Sequence, residues 1–285
     1  MALPRLIKYE QPPRYHQLEL ELGQWFDTAL GKSVLAIEKQ ILSHILPTRF
    51  GYHVLFNGVG PAVELLESSP IRHKVCVSPT FNKQAVSLLC ASTTALPLEN
   101  NSVDLIVLHH SLDYEQNPHG VLREMSRILI PGGSLVLVGF NPWSLWGGWK
   151  ALRVNKPFKH KHTVDAKISA APWNARFISP YRLTDWLALL EMEVDGCESG
   201  FYYPPIGRLG GYVSKMLHKK GWRGLDERHW GSRLKSKILA QRGAIYVMAA
   251  KKMTTCMTPV KPKLKIRRQR VMGVSVSDSR LNREK

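Results

Sequence analysis

Between Val54 and Asn141, apolar runs of strand length alternate with segments of helical period, and a glycine turn closes the first run. The runs are YHVLFNG (52–58), HKVCVSP (73–79), SLLCAS (87–92), SVDLIVLHH (102–110) and GSLVLVGFN (133–141). Val, Leu and Ile fill most of them, the pattern of strands covered on both faces. Between the last two, NPHGVLREMSRILIPGG carries an apolar helical face at Val121, Leu122, Met125, Ile128 and Leu129, stopped by Pro131 and Gly132. Strands joined by helices imply βαβ units, and therefore a parallel sheet with helices on both faces.

The flanking segments extend this core. Residues 15–46 place apolar side chains at helical spacing, with Gly31 expected to break them into two helices and Pro47 and Gly51 to end the second. Beyond Asn141 the chain becomes aromatic and basic. A capped helix is expected after Ser179 and Pro180, a strand over about Met192 to Tyr203, and a helical insertion over about 206–220. GAIYVMAAKK (243–252) reads as a closing strand, antiparallel at a sheet edge. The expected organisation is an N-terminal helical extension (1–50), an α/β domain (51–252) with an insertion at about 142–178, and a disordered basic tail (253–285).

Composition narrows the class. Hydrophobic residues make up 44% and charged residues 22% of the 285, a balance that supports a sizeable core. No run approaches the ~20 apolar residues of a membrane span. The start lacks the apolar stretch of a secretory signal, and Cys76, Cys90, Cys197 and Cys256 form no CxxC pair, so a reduced, cytoplasmic protein without disulfides or a metal site is expected. Of the net charge of +18, the segment from Lys251 to Lys285 carries +9: eleven Lys or Arg against Asp278 and Glu284. Such a tail suits salt-sensitive, nonspecific contact with RNA or an anionic membrane surface.

The run from Thr94 to Gly147 resembles the second half of class I S-adenosylmethionine-dependent methyltransferases of the small-molecule type. The matching residues are Leu96 and Pro97 before the fourth strand, Val103 and Asp104 at its start, Glu124 and Arg127 in the helix before Leu129, and Pro131, Gly132 and Gly133 entering the fifth strand. The resemblance covers about Tyr52 to Asn141. It implies a Rossmann-like class I methyltransferase fold, α/β with a mostly parallel doubly wound sheet and an antiparallel edge strand. It also implies methyl transfer from S-adenosyl-L-methionine to an acceptor, with a small molecule or lipid expected.

The cofactor half departs from the family. Where the family carries acids at the ends of the first two strands and after the third, this chain has Phe56, Ser78 and Ser92. The residues left to hold the cofactor are Asn57, Gly58, Gly60, Ser78, Ser92 and Thr93, with backbone N–H groups of the helix from Ala62. Replacing a charged acceptor, worth about 1.5–3 kcal/mol, with a neutral one worth about 0.5–1.5 weakens binding. His109 and His110 stand at the carboxyl end of the fourth strand, where ligands bind in open α/β sheets, and either is a candidate general base; a strand-capping role is the plainer alternative. Trp143 and Trp146 are candidates for the acceptor pocket, against simple core packing with Trp149. His160 and His162 fall in a basic loop. Two rivals stand beside the enzyme reading: a non-catalytic binding protein whose cofactor site has decayed, and an RNA-associated protein recruited through the tail.

Overall fold

The computed structural model of the chain describes residues 13–78, 88–154, 171–202 and 242–253, with side chains from residue 20 onward except at 88, 90, 153 and 154. Helix α1 (Pro13–Phe26) leads into α2 (Ala29–Ile45). The break falls at Asp27 and Thr28, not at Gly31. Thr28 is the N-cap of α2, its hydroxyl accepting from the Gly31 amide at 3.1 Å. Gly31 lies in the first turn of α2 for a different reason: a Cβ there would enter the backbone of Trp25 and Phe26, so only glycine lets the two helices meet this closely.

The remaining elements are β1 (His53–Gly58), α3 (Ala62–Leu65), β2 (His73–Ser78), β3 (Leu88–Cys90), β4 (Val103–His109), α4 (Ser111–Tyr114), α5 (Pro118–Ile128), β5 (Leu129–Phe140), α6 (Leu145–Val154), α7 (Pro180–Ala188), β6 (Met192–Gly200) and β7 (Ile245–Lys252). Ser179 caps α7 through the Arg182 amide, as expected. The strands form one sheet in the order β3-β2-β1-β4-β5-β7-β6. Pairing is parallel from β3 to β5, and β7 is antiparallel to both its neighbours. The antiparallel strand therefore sits one place in from the edge, between β5 and β6, because β6 and β7 enter the sheet as a pair. The expected helix over 206–220, the His160–His162 loop and the basic tail lie outside the described residues.

Both faces of the sheet are covered. On one, α5 and α7 bury Val121, Leu122, Met125, Ile128, Leu183 and Leu187 against Leu55, Ile106, Leu108, Leu135 and Leu137. On the other, α2 and α3 bury Ile41, Leu42 and Leu65 against Val54, Phe56, Leu105, Val107, Val136 and Val138. A third, aromatic cluster closes the carboxyl edge: Leu22, Trp25 and Phe26 of α1 pack with Val59, Tyr114, Phe140 and Trp146. At ~25 cal/mol per Å², these buried faces are the main term holding the layers together.

The family-like residues prove to be scaffolding for the loops beside that edge and its opposite. Glu124 accepts from the Leu96 amide at 2.7 Å, while Arg127 donates to Glu124 and to the carbonyls of Leu96 and Leu98. This clamps the Leu96–Pro97 turn onto α5. Asp104 accepts from the amides of Tyr52 and His53, both at 2.9 Å, and so fixes the chain as it enters β1.

Gly31→Ala gives a prediction whose sign separates geometry from propensity. Helix propensity alone would stabilise α2 by about 1 kcal/mol. The backbone clash with Trp25 and Phe26 predicts a lower urea midpoint instead, measured by circular dichroism, and an unchanged or raised midpoint would contradict the packing described.

Candidate active site

Strand β1 ends at the centre of the sheet, and its register places Gly58 beside His109 of β4. Gly58 (φ 146°) and Gly60 (φ 117°) both occupy backbone regions that L side chains avoid. A Cβ on Gly58 would enter the His109 carbonyl, and one on Gly60 would press on the His109 ring at 3.2 Å. The amide of Val59 donates to the same His109 carbonyl at 3.1 Å. The turn therefore lies down tightly over the end of β4. Helix α3 is a single turn, so the dipole expected from Ala62 is that of a few peptide units only.

The polar residues expected to hold a cofactor collect along this edge. Asn57 is buried and fixed from both sides, its amide donating to the Val77 carbonyl at 3.3 Å and its Oδ1 accepting from the Ser111 hydroxyl. Ser78 ends β2 next to that pair. Ser92 and Thr93 are buried after β3; the Ser92 hydroxyl meets that of Thr94 at 2.9 Å, and Thr93 donates to Glu115. Glu115 thus brings a half-buried carboxylate to an edge where position-by-position reading found none. It comes from the segment after β4, outside the three positions where the family carries acids.

The two histidines are differently placed from a solvent-facing base. Both are 0% exposed. His109 Nε2 lies 3.0 Å from Glu38 Oε2, and His110 Nε2 lies 2.8 Å from Glu38 Oε1. On their far sides, His109 Nδ1 meets the Val59 carbonyl and His110 Nδ1 meets Asp113 Oδ2 at 2.9 Å. Asp113 Oδ2 also accepts from the Phe140 amide at 3.2 Å. All four ring nitrogens are engaged, so neither ring offers a lone pair to an acceptor. The role of general base is corrected accordingly: a base must reach the proton it removes.

Electrostatics follow from this enclosure. Burial would raise the Glu38 carboxyl, yet the charges of His110 and His109 and their hydrogen bonds bring it down to about 2. Burial likewise works to lower His110, and is outweighed by Glu38 and Asp113, which raise it to about 9. Burial raises Asp113, with the His110 contact opposing. His110 holds this position at φ 53°, a left-handed conformation uncommon for a residue with a Cβ.

Glu38 was missed from sequence although it left a signal. The buried positions of α2 are Gly31, Val34, Glu38, Ile41 and Leu42, so an acid stands in the apolar stripe of the helix. Its partners are 71 and 72 residues away, beyond any spacing rule. Trp146 is fully buried against Trp25, Phe140 and Phe201, whereas Trp143 is 71% exposed, so helical spacing did not bring the two together.

By fold and site this is a Rossmann-like nucleotide-cofactor domain, with its glycine turn at the carboxyl end of the central strand. Residues 58–137 match a family model described as a methyltransferase domain. The uncharacterized protein YafS of Escherichia coli (strain K12) is 34% identical over 202 residues, 70% of this chain and 77% of the relative. A SAM-dependent methyltransferase of Thermotoga maritima, described as a possible histamine N-methyltransferase, superposes with a TM-score of 0.54 at 20% identity. The match covers 84% of this chain and 99% of that one. A chain of the complex between the Haloferax volcanii Trm112 methyltransferase activator and a putative methyltransferase gives 0.50 at 14%, over 82% and 98%. Both structural likenesses speak to the fold. The chain belongs to the class I S-adenosylmethionine-dependent methyltransferases, whose cofactor is S-adenosyl-L-methionine. Among the described residues no helix is long and apolar enough to cross a membrane.

Removing one partner from a buried ion network costs about 3–5 kcal/mol, because the remaining charges stay buried without it. Glu38→Ala is expected to lose that much in urea denaturation. A loss below about 1 kcal/mol, the range of exposed ion pairs, would mean that the network is not closed to water.

Proposed function

We propose that the protein transfers the sulfonium methyl of S-adenosylmethionine to a small-molecule or lipid-like acceptor. The single observation that carries this reading is the intact glycine turn, Gly58 to Gly60, lying over the end of β4 at the carboxyl edge of the sheet. The residues beside it fit a nucleoside-derived cofactor. Asn57, Gly58 and Gly60 would receive the amino-acid end, and Ser78, Ser92 and Thr93, with Glu115 behind Thr93, would receive the hydroxyls and the base.

When bound, the cofactor supplies an electrophilic methyl group on a sulfonium. The chain's contribution is positioning and exclusion of water. Asn57 is held rigid by Val77 and Ser111, and the aromatic cluster of Trp25, Phe26, Phe140 and Trp146 closes the edge. A cleft of about 610 Å³ opens beside Gly60, lined by Phe26, Lys32, Leu35, Lys39 and Leu65 among others. Phe26, Leu35 and Leu65 give it an apolar floor, and Lys32, Lys39, Asp27 and Glu64 a rim of both charges, which suits a small acceptor with an apolar body and polar groups.

Calorimetry with S-adenosylmethionine and S-adenosylhomocysteine tests the cofactor reading. Saturable one-to-one binding is expected, weakened about tenfold in Glu115→Gln, the equivalent of ~1.4 kcal/mol for exchanging a charged for a neutral acceptor behind Thr93. Absence of heat and of thermal stabilisation at millimolar ligand would remove the proposal. The cleft is tested separately with Leu35→Trp. Cofactor affinity should stay within about threefold of wild type, while S-adenosylhomocysteine formation with an acceptor found by screening falls. Equal turnover in the filled variant would move the acceptor elsewhere.

A further inference from the structure

The donor and acceptor count around Glu38 can be closed by protons or by a cation, and the two differ in what the cluster holds. Each ring nitrogen of His109 and His110 faces an acceptor: the Val59 carbonyl and Asp113 Oδ2 on the outside, and the two oxygens of Glu38 on the inside. A neutral imidazole has one N–H and one lone pair. With the outer nitrogens donating, the inner ones present lone pairs to a carboxylate. Protons can close this count, carried by the rings or in part by Asp113, and so can one divalent cation in place of the inner protons. Glu38, Asp113 and two charged rings have zero net charge, and so do Glu38, Asp113, two neutral rings and one divalent ion.

We propose that Glu38, His109 and His110 form a closed site for one divalent transition-metal ion, zinc by preference, which pins helix α2 to the end of β4. The three side chains offer ligand atoms that all lie within 4.8 Å of one another, and all three are buried. Donors about 2.0–2.2 Å from one tetrahedral zinc stand roughly 3.3–3.6 Å apart, and the Glu38 oxygens lie 3.0 and 2.8 Å from the two Nε2 atoms, so the ligands part by about half an ångström to admit the ion. Imidazole and carboxylate together match the borderline character of zinc.

The outer contacts are the second line of support. Metal-bound histidines donate their other ring N–H to a carbonyl or carboxylate, which fixes tautomer and orientation. His109 does so to the Val59 carbonyl and His110 to Asp113, which the Phe140 amide holds in turn. The His110 and Phe140 contacts both fall on Asp113 Oδ2, while its second oxygen, Oδ1, is buried with no hydrogen-bond partner. The site has no exposed side, which assigns the ion a structural part: it ties α2, β4 and the glycine turn together. This inference concerns α2 and β4 and does not depend on methyl transfer.

The test uses the full-length protein, purified without a histidine tag or a metal column and dialysed against metal-free buffer. Plasma mass spectrometry should find about one equivalent of zinc or another divalent transition metal per chain. Refolding in cobalt(II) should give visible d–d absorption, lost in Glu38→Gln and in His110→Asn, Asn being a residue that tolerates the left-handed backbone there. His53→Ala, which opens the exposed His53–His73 contact, should leave metal content and spectrum unchanged. Wild-type protein that carries no transition metal, and takes up neither zinc nor cobalt on refolding, overturns the proposal without reference to any variant. Metal that survives Glu38→Gln but leaves with His53→Ala overturns it as well, by placing the ion on the exposed pair.

Discussion

Glu38 is a carboxylate without access to water, and the arrangement at the carboxyl edge depends on what neutralises it. Taking a charge out of water costs several kcal/mol unless partners compensate in place. The two rings that compensate it come from consecutive residues, the last of β4 and the first beyond it. Helix α2 can therefore take one depth and one rotation over the sheet. With α2 placed, α1 follows through Thr28 and Gly31, and the aromatic cluster of α1 closes over the glycine turn. The ring of His109 lies under that same turn, so the network supports from below the loop expected to receive the cofactor.

This division of labour explains why the family pattern is strong in one half of the chain and weak in the other. Glu124, Arg127 and Asp104 hold loop backbones through hydrogen bonds, a task set by the sheet and independent of what binds there. The acids absent from β1, β2 and the segment after β3 belong to the cofactor half of the family pattern. Here Phe56, Ser78 and Ser92 stand in their places, and Glu115 accepts from Thr93 beside the last of them. Neutral groups hydrogen-bond more weakly than charged ones but cost less to desolvate.

The core of the fold was legible because it is local. Val, Leu and Ile in strand-length runs with Pro and Gly between them suffice to mark β1, β2, β4 and β5 and helix α5, and the glycine turn marks the carboxyl edge of the sheet. Gly31 was misread for a reason that applies widely: glycine in a helical pattern signals either a break or a close approach, and only the neighbouring chain distinguishes them. The antiparallel character of β7 was legible, whereas its place inside β6 was not, since pairing order is a property of the whole sheet.

The histidines show the boundary most clearly. By itself the sequence determined a parallel sheet, a glycine turn after its first strand, and two histidines at the end of its fourth, because strand period and turn chemistry act over a few residues. Tertiary structure alone decided that those rings face inward onto Glu38 and Asp113 and leave no lone pair for an acceptor. The physical reason is that the chemistry of a side chain is set by burial and by the groups within hydrogen-bond reach. Here the deciding group lies on a helix some seventy residues earlier, brought close by packing against the sheet.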